Sequence, residues 1–390
     1  MNSEDSLDLA RHHGVFRRQL SLFQGVALIV SGTIGAGILG LPYAIAKVGV
    51  IPGVLAIFVL GFLMMGLNLL IGDIAVRTKQ QLQIAGLAGV YFGKLGKVVM
   101  GVFTHVLLLG VLTVYIIGEG EALSALFSGT AFQWSMVFFA IASVCVIVGL
   151  RIIKTVELFL SLGLLTIVLL VSVVSVRHLS FVNFQHIDLA QILFPYGVIL
   201  FALHGVTTVP EAYSLLKNRE GTFRKAIMLS SLIVMVVYVL FTVIVIGVTG
   251  GDTTEIATVG LGNAIGRNVF VLGNMFAVFA MGTSFLMAGL GLRDSLRWDF
   301  KASPALSVLV VCGVPLFVFL AGVRGFIVAI DIVGGVFISL EMLFILLIYI
   351  KARKVSPESV SYHLRFVSAI LALLILALSI GAVYSVVKLF

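Results

Sequence analysis

The sequence predicts an all-α membrane protein of eleven transmembrane spans, built as two five-helix halves of opposite orientation plus one extra helix, with the first and sixth spans broken. Three observations carry this prediction. Of 390 residues, 61% are apolar and 11% charged, against about 45–50% and 25% for an ordinary soluble domain. Apolar runs of about twenty residues, long enough to cross a hydrocarbon core roughly 30 Å thick, recur from end to end. Glycine and proline interrupt two of those runs, 170 residues apart, at equivalent points of a repeating pattern. A large water-soluble fold could not hide so much apolar surface, which excludes that class.

Taken in order, residues 1–19 place Glu4, Asp5 and Asp8 beside Arg11, Arg17 and Arg18, with no small-residue cleavage site after a short apolar stretch. They read as a cytoplasmic tail and not as a signal peptide. Spans at 20–48, 50–76, 97–127, 133–150 and 154–177 make a first half, 20–177. Spans at 191–216, 222–250, 266–292, 304–323 and 326–350 make a second half, 191–350, and 363–389 is the eleventh. Residues 78–96 are too polar to cross and are expected along the inner interface. Cys145 and Cys312 each lie inside an apolar span, so no disulfide framework or CxxC metal site is available.

Charge fixes the orientation. With a cytoplasmic amino terminus, 20 of the 25 basic residues fall on the inner side, the bias expected because short positive loops resist translocation. An odd span count then puts the carboxyl terminus outside. The formal charge of +8 therefore reflects topology and anionic headgroups in a cell membrane, plasma or prokaryotic inner; no basic stripe points to nucleic acid. The oligomeric state is not legible.

The first span carries Ser31-Gly32-Thr33-Ile34-Gly35-Ala36-Gly37, then Gly40 and Pro42, near mid-membrane. The sixth repeats the anomaly with Pro195, Gly197, Gly205 and Pro210 around Phe201-Ala202-Leu203-His204-Gly205. The starts of spans three and eight, four and nine, and five and ten differ by 169, 171 and 172 residues. Two five-helix halves follow, and an odd number per half makes the repeat inverted. Thr208-Val209-Pro210-Glu211 matches a capping box, which would start a new helix at Thr208. Small residues also let helices approach closely in lipid, the plainer reading of these glycines. Two converging breaks have a further meaning, because unmet amides and carbonyls are tolerated in a membrane only where they line a protein-enclosed cavity.

Ionisable residues at depth are costly and often functional. Asp73 can pair with Arg77 at i,i+4. Glu119 shares a face of span three with Tyr115 and is the better proton candidate; Glu121 lies on nearly the opposite face. His204 follows the second break and is a candidate for substrate or proton contact. Asp331 and Glu341 suit a gate or a structural network, Glu211 a cap, and His105 packing.

Gly35-Ala36-Gly37-Ile38-Leu39-Gly40-Leu41-Pro42-Tyr43-Ala44, with Thr283-Ser284-Phe285-Leu286 and Leu292-Arg293-Asp294 in span eight, resembles the amino acid/auxin permease family of the amino acid-polyamine-organocation superfamily. Within it the sequence is most similar to bacterial tyrosine and tryptophan permeases. The resemblance implies a leucine-transporter-type fold that binds an amino acid between spans one, three, six and eight. The breaks suit a zwitterion on physical grounds as well. A helix ending near Ile34 offers carbonyls and partial negative charge to an ammonium group, while the amides of Gly35, Ala36 and Gly37 suit a carboxylate. The residues expected to meet the amino acid are Thr33, Ile34, Gly35, Ala36, Gly37, Tyr115, Phe201, His204 and Gly205, with Tyr115 and Phe201 as walls for its side chain.

The resemblance also implies a coupling-ion site. Carried over residue by residue, the sodium ligands are the carbonyls of Ser31, Ile34 and Ala280 and the hydroxyls of Thr283 and Ser284. Neutral oxygens of this kind suit a hard monovalent cation, and no other cofactor is implied. Lys154 stands at the cytoplasmic edge of span five, too shallow to replace the ion. The expected function is import of aromatic or other neutral amino acids by cation symport through alternating access, with sodium favoured. Proton coupling through Glu119 or His204 is the alternative, and hydroxyls that merely bond helix carbonyls are the plainer reading of Thr283 and Ser284. A passive channel and a membrane receptor are readings of a different class. An enzyme is not expected, because no HExxH, GxSxG or Walker loop stands in a convincing context.

Overall fold

The computed structural model describes residues 21–80, 82–149, 163, 166–216, 220–298, 300–355 and 367–388, and among these every regular element is helical. The expected tail 1–19, the first part of span five with Lys154, and the start of the last span lie outside the described residues. The chain enters at α1 (Leu22–Thr33), where Ser21 and Gln24 form a reciprocal capping box that satisfies two amides a helix start leaves open. After a bend of 63°, α2 (Gly37–Val48) continues the same apolar stretch. Next come α3 (Val50–Thr78) and α4 (Ile84–Leu126). Gly93, at φ 66° and ψ −157°, kinks α4, and only glycine takes this backbone without steric cost. The kink separates 84–92, within the stretch expected not to cross, from the long apolar remainder. A second capping box, Thr130 with Gln133, opens α5 (Ala131–Val148), and α6 (Thr166–His178) follows.

The second broken stretch is α7 (Tyr196–Leu203) and α8 (Thr208–Leu215). It leads into α9 (Glu220–Thr249), α10 (Ala257–Ile265), α11 (Arg267–Trp298), α12 (Pro304–Leu320), α13 (Phe326–Val355) and α14 (Val367–Val387). Among the described residues, seven helices are long and apolar enough to cross a membrane, and the bent pair α1–α2 supplies an eighth crossing if it is one span. The protein is thus a multi-pass membrane protein. Apolar side chains of α5 and α14, such as Ile141, Val144, Leu376 and Val383, are exposed outward, where lipid replaces water as solvent.

The short half-helices occupy the interior. Every residue of α7 is buried. α1 packs against α8 and α9, and α2 against α7 and α9. α13 lies across α4, α7 and α14, and it contains a π-helical stretch, Val333–Ile338. The wider turn brings Gly334 and Gly335 against Gly197 of α7, where a Cβ on Gly334 would overlap the Gly197 carbonyl. Stretches of this kind re-aim the side chains beyond them. Here those are Ser339, bonded to Tyr196 at 2.9 Å, and Glu341.

Candidate functional site

The first break follows from its glycines. α1 ends at Thr33, and Ile34 turns extended (φ −78°, ψ 104°) while its N–H still reaches the Val30 carbonyl at 2.9 Å. Among the described residues, Gly35 and Ala36 donate no N–H to another backbone group, and α2 starts at Gly37. The carbonyls at 33–34 and the amides at 35–37 thus lie at helix ends, outside the regular intrahelical ladder.

The second break lies between His204 and Thr207. α7 stops at Leu203, and His204 is extended (φ −75°, ψ 95°). The capping box expected at Thr208 and Glu211 does not form. Thr207 is the N-cap, in a helical conformation with no side-chain cap, and Thr208 is already helical. A capping box needs an extended N-cap whose side chain turns to the amides ahead; the Thr208 hydroxyl instead donates backward to the Gly205 carbonyl at 2.6 Å. Thr208 also fills space against the first break, because a Cβ on Gly32 would overlap its methyl group.

The two breaks touch. A Cβ on Gly37 would lie 2.5 Å from Ala202 Cα, and one on Gly205 would overlap the Thr33 hydroxyl. For these two glycines the plainer reading, close helix approach, is sufficient. Gly35 differs. It is only half-buried, and a Cβ there would meet just the Tyr115 hydroxyl, at an unstrained 3.9 Å. Helix packing leaves its missing side chain unexplained. Tyr115 and Phe201 are both buried, Tyr115 facing Gly35 and Phe201 against Gly334 of α13.

Most of the ionisable groups singled out in the sequence have partners among the described residues. Asp73 and Arg77 pair at 3.0 Å along α3, as their spacing predicts. His105 bonds Ser295 at 2.9 Å and its ring packs on Phe300. Asp331 pairs with Lys388 at 2.7 Å. Arg293, in the Leu-Arg-Asp motif, reaches the Val146 carbonyl at the end of α5, a structural duty for that part of the motif. His204 Nε2 lies 2.8 Å from Glu341 Oε2, and Thr104 donates to the other carboxylate oxygen at 3.1 Å. This part-buried network joins the second break to α13 and α4. Glu119 differs: it is fully buried, and neither carboxylate oxygen has a hydrogen-bond partner among the described residues. One of them faces Gly282, 3.1 Å from where a Cβ would stand, next to Thr283.

The Thr283 hydroxyl donates to the carbonyls of Phe279 at 2.8 Å and Ala280 at 3.2 Å, and Ser31 donates to Leu28 at 3.0 Å. Both hydroxyls spend their hydrogens on carbonyls of their own helices, the contact that the plainer reading of Thr283 expects. α11 packs chiefly on α4, α10 and α5.

Sequence reasoning did not find two features of the site. Glu341 was read without its partner His204, 137 positions away. Tyr238 of α9 was not singled out, yet its hydroxyl donates to the Ala202 carbonyl at 2.7 Å and lies 3.3 Å from the Thr33 carbonyl, one at each break. Helical periodicity places both residues on their helices but carries no sign of what they face.

Comparison with known proteins adds to this geometry. The description of the tryptophan/tyrosine permease family matches residues 18–386. The chain is similar to glutamine transporter 2 of Aliivibrio fischeri, 24% identical over 88% of this chain and 93% of the relative. It is also similar to tyrosine-specific transport system 1 of Haemophilus influenzae, 28% identical over 80% of this chain and 84% of the relative. Among solved structures, MhsT in complex with L-phenylalanine has the same fold, with a TM-score of 0.67 at 14% identity, over 96% of this chain and 100% of that one.

Proposed function

The chain belongs to the tryptophan/tyrosine permease family, and we propose that it imports neutral amino acids through alternating access, each coupled to a monovalent cation. It is an amino-acid transporter by family, not an enzyme. The observation that carries the substrate reading is Gly35: a half-buried glycine between the carbonyl end of one helix and the amide end of the next, with open space toward the Tyr115 hydroxyl. The ammonium group goes to the carbonyls of Thr33 and Ile34, and the carboxylate to the amides of Gly35, Ala36 and Gly37. Tyr115, Phe201, His204 and Gly205 border the side chain. The substrates named for the two relatives, glutamine and tyrosine, are neutral, which supports a neutral amino acid here.

In this reading the eleven spans form a five-plus-five inverted repeat, 20–177 and 191–350, with 363–389 added, an inner amino terminus and an outer carboxyl terminus. The contact between the two breaks supports it, because inverted repeats bring their broken helices together. The coupling ion is sodium, held by the carbonyls of Ser31, Ile34 and Ala280 and the hydroxyls of Thr283 and Ser284. Hydroxyls whose hydrogens point into their own helix, as that of Thr283 does, present only lone pairs to a cation. A second reading, proton coupling, draws on the carboxyl of Glu119, which has no hydrogen-bond partner among the described residues, and on the part-buried His204–Glu341 contact. Uptake by reconstituted protein in sodium and in choline at fixed pH, with and without an imposed proton gradient, separates the two.

A further inference from the structure

A single side chain links both breaks. Tyr238 is fully buried in α9; its phenolic hydrogen goes to Ala202, and Thr33 lies within reach of the same oxygen. Thr33 is the last residue of α1, and Ala202 the last but one of α7. Both carbonyls therefore belong to helix C-termini, where intrahelical donors have run out and partial negative charge collects. Two such ends meeting inside a protein make a position for positive charge, and interrupted helices of transporters hold cations in this way. Here the positive end of one O–H dipole fills the position.

We propose that the Tyr238 hydroxyl takes the place of a monovalent cation between the two breaks, making Tyr238 a positioning residue that fixes their separation without an ion. The proposal rests on the reading that the breaks form the amino-acid site. It has a consequence for coupling: any cation carried with the substrate binds somewhere other than between Thr33 and Ala202. Removing the phenol oxygen leaves the buried Ala202 carbonyl unmet and opens a gap beside the part-buried Thr33 carbonyl. A cation of sodium's size can then repay their desolvation, which a merely structural tie would not predict.

The test uses full-length protein carrying Thr283→Ala, which disables the oxygen set assigned above to sodium. Thermal unfolding is followed in sodium chloride and in choline chloride at equal ionic strength. With Tyr238 present, the midpoint does not respond to the exchange. Adding Tyr238→Phe makes sodium raise the midpoint, and amino-acid affinity, lowered on the order of tenfold in choline, recovers in sodium. Tyr238→Asn, which widens the gap and adds a carbonyl oxygen, gives a larger sodium response and stands in if the phenylalanine variant does not fold. Equal sodium responses with and without the phenol overturn the proposal and leave Tyr238 a packing residue. Failure of the wild type to bind any amino acid would instead sink the substrate reading, and the melting comparison, which needs no substrate, still decides the role of Tyr238.

Discussion

Replacing Gly35 with valine separates packing from ligand contact at the first break. A Cβ at this position meets only the Tyr115 hydroxyl at 3.9 Å, and the backbone is outside the left-handed region. The folded protein should accept the side chain within about 0.5 kcal/mol, as at sites with no packing partner. Binding should not survive so well. The branched side chain occupies the approach to the amides of 35–37 and removes one charge-assisted hydrogen bond to the carboxylate, worth about 1.5–3 kcal/mol. At about 1.4 kcal/mol per tenfold, affinity falls roughly ten- to hundredfold. Gly37→Ala supplies the contrast: its Cβ would stand 2.5 Å from Ala202 Cα and 2.8 Å from Ala202 Cβ, an overpacking cost of about 1–3 kcal/mol in stability. Thermal unfolding and equilibrium binding of a radiolabelled amino acid, on the same purified samples, give both quantities. Unchanged affinity in a stable Gly35→Val protein would refute the reasoning and return this glycine to helix packing.

Other expectations follow from the same geometry. Thr283→Ala should raise the sodium concentration for half-maximal uptake, while Glu119→Gln leaves it unchanged; under proton coupling Glu119→Gln abolishes accumulation and Thr283→Ala does not. Glu341→Ala strands His204 and Thr104 without their shared acceptor and should cost about 1–3 kcal/mol in stability, whereas Glu341→Gln, which keeps an acceptor for Thr104, should lose less than half of that in chemical unfolding. A cysteine at Lys354 should react with an impermeant thiol reagent only from the cytoplasmic side, and one at Asp252 only from the outside; the reverse pattern rejects the proposed orientation.

The first break was legible in place because its cause is local: three glycines within Ser31–Gly37 weaken a helix, and where the sequence predicts one helix ending near Ile34 and the next beginning at Gly35, α1 ends at Thr33 and α2 begins at Gly37. The polarity of 78–96 marked a stretch before span three that does not continue it, but the kink at Gly93 that separates the two was not singled out. The second break was legible in place but not in form. Thr208 and Glu211 have capping-box spacing, yet the hydroxyl of Thr208 turns back to Gly205 while its methyl group fills the space over Gly32, a contact with the first break that local sequence does not show. The His204–Glu341 and Tyr238 contacts were not legible at all. A 3.6-residue period tells which face of a helix is polar, but in a chain with apolar residues on nearly every face it does not tell which helix lies opposite. The π-helical stretch in α13, which helps aim Glu341, has no local signature either.

The central claim is tested most directly by uptake of a radiolabelled neutral amino acid panel into proteoliposomes under imposed sodium or proton gradients. The account predicts saturable uptake of at least one neutral amino acid, accumulated against its own gradient when a cation gradient is imposed and abolished when that gradient is collapsed. Non-saturating flux that only equilibrates, with no response to either gradient, would contradict it and indicate a passive channel.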